Sequence, residues 1–240
     1  MSAAVILAAG AGSRLGELGR VHSKPMVPVL GRPLVDWVVE RLRRAGFTRL
    51  TAVVHPENTS LLGHLQTGHP DITLAWQDER RGMADAVARA LPLLPDEPYL
   101  ACACDSLFPP GDIARVAALG REHHGSAAIG VLAMGVDATA TRSAVVLRGT
   151  RVVDIREKPA PGTVRTSLVG MPLYWLPRAC DRFLQAPPAP GRERQVAEAL
   201  ADFIAAGGEL RAAEVHERLE VTRPEDVARI TGSSHATATY

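Results

Sequence analysis

Short β-rich apolar runs alternate along this chain with segments whose apolar residues recur at helical spacing. That alternation is met by a mostly parallel sheet with helices crossing over both of its faces. Val5, Ile6 and Leu7 open the pattern as a buried strand and lead into Ala8-Ala9-Gly10-Ala11-Gly12, a glycine-rich loop. Pro33 then starts an amphipathic helix whose apolar residues Leu34, Val35, Trp37, Val38, Val39 and Leu42 share one side, and Gly46 ends it. Strands are predicted at 50–54, 72–76, 99–104 and 127–133, and helices at 84–91 and 112–119. After about residue 140 the pattern changes to closely spaced strands at 144–147, 152–156 and 167–175, which reads as an antiparallel insertion or subdomain. Pro172 interrupts the last of these, so that strand is expected at an edge or bulged. A proline-rich loop at 186–191, a helix at 193–206, a strand at 210–215 and a helix at 224–230 close the fold, followed by a small polar tail expected to fray.

The 240 residues are 46% hydrophobic and 22% charged, enough apolar material for one sizeable core and too much for a disordered chain. A net charge of +1 is too balanced for a surface that holds a polyanion by charge alone, so nucleic acid is not an expected partner. The apolar run 3–9 lacks a basic leader, and no run approaches the roughly 20 residues of a membrane span, so a cytoplasmic protein without a membrane partner is expected. Cys102, Cys104 and Cys180 are sparse and odd in number, and the first two sit in an apolar run, which argues for buried strand over a disulfide or thiolate-metal framework. Of 27 basic residues only Lys24 and Lys158 are lysine, and each precedes proline. In a chain that otherwise uses arginine, a retained lysine points to a place where a compact point charge is needed.

Ligands of open α/β sheets bind at the carboxyl ends of the strands. There the first loop offers Gly10, Gly12 and Arg14, a close backbone approach and a cation suited to phosphate. A dinucleotide-binding oxidoreductase would place an acid at the end of the second strand, which instead ends Val53-Val54-His55-Pro56, and a Walker loop would need a Gly-Lys-Ser/Thr that is missing. The third strand ends at Gln77, able to read a base edge or to stand exposed as an ordinary polar residue. The fourth ends at Asp105, placed either to hold a divalent cation or to cap a turn. Arg156-Glu157-Lys158-Pro159 pairs a carboxylate with an ammonium, and an exposed charged turn is the plainer reading.

Taken together, these residues carry a resemblance. The run Leu7-Ala8-Ala9-Gly10-Ala11-Gly12-Ser13-Arg14-Leu15 followed by Lys24-Pro25, with Gln77, Gly82-Met83-Ala84-Asp85-Ala86-Val87, Asp105 and Glu157-Lys158-Pro159, resembles the sugar-1-phosphate nucleotidylyltransferase family over residues 3 to about 230. The resemblance implies an α/β, Rossmann-like, mostly parallel sheet of the nucleotide-diphospho-sugar transferase type. It implies a single domain over 1–231, with a nucleotide-binding half at 1–135, a sugar-phosphate half at 136–231 and a flexible tail at 232–240. The implied reaction is Mg²⁺-dependent attack of a sugar 1-phosphate on the α-phosphorus of a nucleoside triphosphate, UTP or dTTP being favoured.

In that reading Leu7, Ala8, Ala9, Gly10, Gly12, Arg14, Gln77 and Gly82 bind the nucleotide, and Arg14, Lys24, Asp105 and Lys158 are catalytic. Glu157, Lys158 and Gly170 take the sugar phosphate, and Asp105 and Glu220 hold the metal. The implied partners are a nucleoside triphosphate and a sugar 1-phosphate, with room for a homodimer. The chain departs from the family pattern at Met83, Ala144 and Glu220, where threonine or leucine, glycine and aspartate are usual. Competing readings are a cytidylyltransferase for a non-sugar phosphate or phosphonate, a molybdopterin-type nucleotidyltransferase and a catalytically silent nucleotide-binding regulator.

Overall fold

The computed structural model describes residues 2–12, 15–16, 19, 22–216 and 219–232. The predicted tail beyond 232 and Arg14 lie outside the described residues. In chain order, β1 (Ser2–Leu7) precedes a small hairpin of β2 (Pro28–Val29) and β3 (Arg32–Pro33), helix α1 (Leu34–Arg44), β4 (Phe47–Val54), α2 (Thr59–Gly68), β5 (Thr73–Trp76) and α3 (Met83–Ala90). Then come β6 (Tyr99–Ala103), β7 (Ser106–Leu107), α4 (Pro110–Glu122), β8 (Ala127–Ala133), β9 (Ser143–Arg148), β10 (Arg151–Glu157) and β11 (Leu168–Leu176). The chain ends with α5 (Asp181–Leu184), α6 (Val196–Ala205), β12 (Leu210–Glu214), β13 (Leu219–Glu220) and α7 (Pro224–Gly232).

A nine-stranded sheet organises these elements in the order β5-β4-β1-β6-β11-β8-β12-β10-β9. The first four are mutually parallel, so the loops that follow β1, β4, β5 and β6 gather along one edge. Side chains on a strand alternate between faces, and β1 does so visibly. Ala4, Ile6 and Ala8 pack with Leu34 of α1, Leu61 of α2 and Val116 of α4, while Val5, Leu7 and Ala9 pack with Val87 of α3 and Leu200 of α6. Both faces of the sheet are thus covered, which is why β1 and β6 read as unbroken apolar runs.

The predicted antiparallel insertion is part of this same sheet. β11 runs antiparallel between β6 and β8, so residues from the second half of the sequence sit inside the first half's sheet. Pro172 is therefore not on an edge strand. It lies in a bulge, where Gly170 faces Val131 but Tyr174 faces Ile129, so that a two-residue step on β8 spans a four-residue step on β11 and a missing N–H costs no ladder bond. β9 also curls back to pair with β11 at Val169 and Gly170. The approach is close enough that a Cβ on Gly170 would lie 2.9 Å from Ile129 Cδ1 and 3.3 Å from Ser143 Cβ.

Helix α2 is absent from the sequence-based expectations. Its inward face is carried by only Leu61 and Leu65, too few to register as a helical period, and the Asn58 side chain caps it by accepting from Leu61 N–H. The three cysteines are free and buried, and burial pushes the Cys102 thiol up to about 12. Among the described residues, no helix is long and apolar enough to cross a membrane.

Candidate active site

The gathered loops line a cleft of about 380 Å³. Leu7, Ala8, Ala9, Gly10, Gly12, Lys24, Gln77, Gly82, Asp105, Glu157 and Lys158, all singled out from the sequence, contribute to its wall. Gly170 and Glu220 do not.

The glycine loop owes its shape to two different constraints. Gly12 has φ +66, and a Cβ there would meet Lys24 Cβ at 3.0 Å, so glycine at this position lets the lysine pass close beneath the loop. Gly10 has no positive φ, and a Cβ added to it would meet nothing within 4 Å, so the fold itself does not require glycine there. Among the described residues, no backbone carbonyl takes the N–H of Gly10, Ala11 or Gly12, which leaves three donors at the cleft for an anion.

Lys24 starts a 3-10 turn, Lys24–Met26, anchored by the buried Pro25. Its Nζ donates to Asp105 Oδ2 at 2.5 Å, a contact between residues 81 apart in sequence. Both side chains are largely withdrawn from water. Asp105 leaves the end of β6; its Oδ1 accepts from Ser106 Oγ at 3.0 Å, and its carbonyl accepts from Val221 N–H at 2.9 Å. That last bond and the Glu220–Ser106 pairing of β13 with β7 bring Glu220 alongside Asp105 in backbone position. The Glu220 carboxylate, however, is engaged by Arg142, whose guanidinium donates to Oε2 at 2.6 Å. Asp226, farther along the same segment, caps α7 by accepting from Thr222 and Arg223. Burial raises its pKa, but those hydrogen bonds outweigh it and hold the carboxyl below its usual range.

In the same cleft, β10 ends at Glu157, whose Oε2 accepts from Ser143 Oγ at 2.5 Å on the paired strand β9. Lys158 follows with φ +43, a left-handed conformation that is costly for a residue with a Cβ. Its N–H donates to Arg142 O at 3.0 Å, which holds the backbone in that turn.

Gln77 is only 4% exposed, which removes the reading of an ordinary polar strand end. Its Nε2 donates to Gly82 O at 3.1 Å and to Asp85 Oδ2 at 2.8 Å. Both partners are pure acceptors, so the amide orientation is fixed and the carbonyl Oε1 is the group left for a ligand. Gly82 has φ +100 and packs against the Arg194 backbone so tightly that a Cβ would stand 2.3 Å from Arg194 O. Ala84 N–H and Arg194 N–H complete that junction with Arg194 O and Arg81 O.

Several cleft residues escape a reading of the sequence. Arg80 donates to Ala9 O at 3.3 Å and adds a cation to the wall; its signal is its place between Gln77 and Gly82. Asp85, which orients Gln77 without itself lining the cleft, lies inside the Gly82–Val87 run of the motif. Glu193, Gln195 and Thr222 arrive through long-range packing and carry no local signal.

The family profile described as nucleotidyl transferase matches residues 3–215, most of the chain. The chain belongs to the nucleotidyl transferase family. Among curated relatives of this nucleotidyl transferase, the bifunctional protein GlmU of Hyphomonas neptunium is 45% identical over 85 residues, covering 35% of this chain and 18% of its own. The N-acetylmuramate alpha-1-phosphate uridylyltransferase of Neisseria meningitidis is 36% identical over 106 residues, covering 40% of this chain and 44% of its own. The chain thus spans less than half the length of these relatives in its matches. A solved UDP-glucose pyrophosphorylase complexed with UDP-glucose superposes with a TM-score of 0.83 at 18% identity, covering 95% of this chain and 96% of that one. The UDP-glucose pyrophosphorylase from Acinetobacter baumanii gives 0.83 at 18% identity over 99% and 96%. These likenesses establish the shared fold.

Proposed function

We propose that this nucleotidyl transferase moves a nucleotidyl group from a nucleoside triphosphate, UTP or dTTP in preference, to a sugar 1-phosphate. The observation that carries the reading is the convergence in one cleft of the Lys24–Asp105 pair, the open amides of the glycine loop, and Glu157 and Lys158. Two anion-binding groups in one cleft suit a reaction between two phosphates. The names of the relatives, a uridylyltransferase for a sugar phosphate among them, lend it support.

In the proposed reaction an oxygen of the sugar phosphate attacks the α-phosphorus, the bond from that phosphorus to the α–β bridging oxygen breaks, and pyrophosphate leaves with the electron pair. The nucleophile is already an anion, so no general base is required and the protein's task is alignment and charge neutralisation. The loop amides at 10–12, with Arg14, receive the β- and γ-phosphates, Lys24 the α-phosphate, and Lys158 the incoming phosphate. Glu157, oriented by Ser143, accepts sugar hydroxyls. Gly170 takes an indirect part, since its missing side chain lets β9 bring Ser143 and hence Glu157 into place.

Asp105 fits Mg²⁺, a hard cation that binds one or two carboxylates and completes its shell with phosphates and water. Glu220 fits as a second ligand only by releasing Arg142. When bound, the ion offsets the charge on the triphosphate. The Gln77 carbonyl suits the ring imide N–H of uracil or thymine. Pyrophosphate release measured across a matrix of triphosphates and sugar 1-phosphates tests the proposal: release with UTP or dTTP is expected, and a response to GTP or ATP alone overturns the base assignment.

A further inference from the structure

Away from the cleft, α1 and α2 bring together two histidines and a carboxylate. Asp36 stands in the first turn of α1, His64 lies on α2, and His69 caps the end of α2. Nε2 of His64 and Nε2 of His69 lie 2.6 and 2.9 Å from the same atom, Asp36 Oδ1. A five-residue spacing would separate two side chains on a regular helix. His69 swings back because the chain leaves the helix there, at φ −141. The rings meet edge to face with centroids 5.8 Å apart. Burial raises the Asp36 carboxyl pKa, but the hydrogen bonds from His64 and His69 outweigh it and keep the group below the usual carboxylate range, an anion between two nitrogens. None of the three lines the cleft.

We propose that Asp36, His64 and His69 form a binding site for a divalent transition metal ion of the zinc type. One ligand atom from each lies within 4.8 Å of the others. Metal–nitrogen and metal–oxygen bonds of about 2.0–2.2 Å in tetrahedral array separate ligand atoms by about 3.4 Å, so the present hydrogen-bonded distances need to open by less than about 1 Å. Two imidazoles and one carboxylate leave a fourth position for water, and the nitrogen donors select against Mg²⁺, which prefers an all-oxygen shell. An imidazole that binds a metal through Nε2 carries its proton on Nδ1. Among the described residues, Nδ1 of His69 is buried without a hydrogen-bond partner. The site therefore lacks one of the outer supports that orient a metal-bound histidine, which places its affinity on the order of 10- to 100-fold below a fully supported one. The ion would tie α1 to the end of α2, two elements that both pack against the Lys24–Met26 turn.

Untagged, chelator-treated full-length protein titrated with Co²⁺ and with Zn²⁺ tests this. One equivalent of Co²⁺ should develop visible d–d bands, Zn²⁺ should displace it, and Zn²⁺ should raise the Tm where equal Mg²⁺ does not. The H64Q and H69Q variants, checked for native circular dichroism, should each lose at least tenfold in Co²⁺ affinity, as should D36N. Should a misfolded D36N be uninformative, the two glutamine variants carry the test. Wild-type protein that shows no such bands, or binding that persists in H64Q/H69Q and maps to the adjacent pair His123 and His124, overturns the site.

Discussion

Replacing Lys158 separates what its side chain does from what its backbone suffers. The residue holds φ +43, and the side chain is 55% exposed with Glu157 at 3.7 Å, so truncation removes little packing and an ion pair of small worth. The left-handed conformation costs a residue with a Cβ roughly 1–2 kcal/mol. Glycine escapes that cost but loses about 0.5–1 kcal/mol more conformational entropy on folding. K158G should therefore be more stable than K158A by about 0.5–1 kcal/mol, a Tm difference of about 1–4 °C for a chain of this size. Both should lose most turnover, because neither carries the ammonium proposed for the incoming phosphate. Differential scanning calorimetry beside a pyrophosphate-release assay reads the two effects independently. If K158A is as stable as K158G, the strained turn is not real; if K158G turns over at the wild-type rate, Lys158 does not serve the substrate.

Other perturbations separate fold from chemistry in the same way. K24R, which replaces a point charge in a 2.5 Å contact with Asp105 by a bulkier planar group, should slow turnover about 10- to 1000-fold, equivalent to about 1.4–4 kcal/mol of transition-state stabilisation, and near wild-type kinetics would contradict the role of Lys24. G10A should leave stability within about 0.5 kcal/mol while weakening triphosphate binding, whereas G82A, forced against Arg194 O, should cost about 2–5 kcal/mol in urea denaturation; equal stabilities would refute the packing argument. D105N should abolish Mg²⁺-dependent turnover and E220Q should raise the Mg²⁺ requirement by a smaller factor, and a Mg²⁺ titration unchanged in E220A removes Glu220 from the ligand set. D85A, which frees the Gln77 amide to rotate, should reduce the preference for UTP over CTP about tenfold; an unchanged ratio of kcat/KM values means Asp85 does not orient the base reader.

The parts of this fold that can be read from the chain are those whose neighbours are close in sequence or whose environment is uniform. β8 carries the predicted bounds, and β1 from Ala3 onward and β6 throughout are apolar because helices cover both faces of the sheet. α1 is legible because its buried side is apolar apart from Arg41. What stays hidden depends on partners far away. The insertion of β11 between β6 and β8 decides that Pro172 sits in a central bulge, and nothing near residue 172 encodes that neighbour. The cleft follows the same division. Lys24, Gln77 and Asp105 stand out as polar groups at strand or loop ends. The amide-orienting bond from Gln77 to Asp85, the Arg142 grip on Glu220 and the Asp36–His64–His69 cluster exist only once the helices are packed.

Direct displacement between two phosphates can be followed in a rapid-quench reaction of the protein with UTP labelled at the α-phosphorus, with and without a sugar 1-phosphate. Label should pass into a UDP-sugar only when the sugar phosphate is present, in step with pyrophosphate release, and none should remain on the denatured protein. Label retained on the protein, or UMP and pyrophosphate formed without the acceptor, would contradict direct displacement.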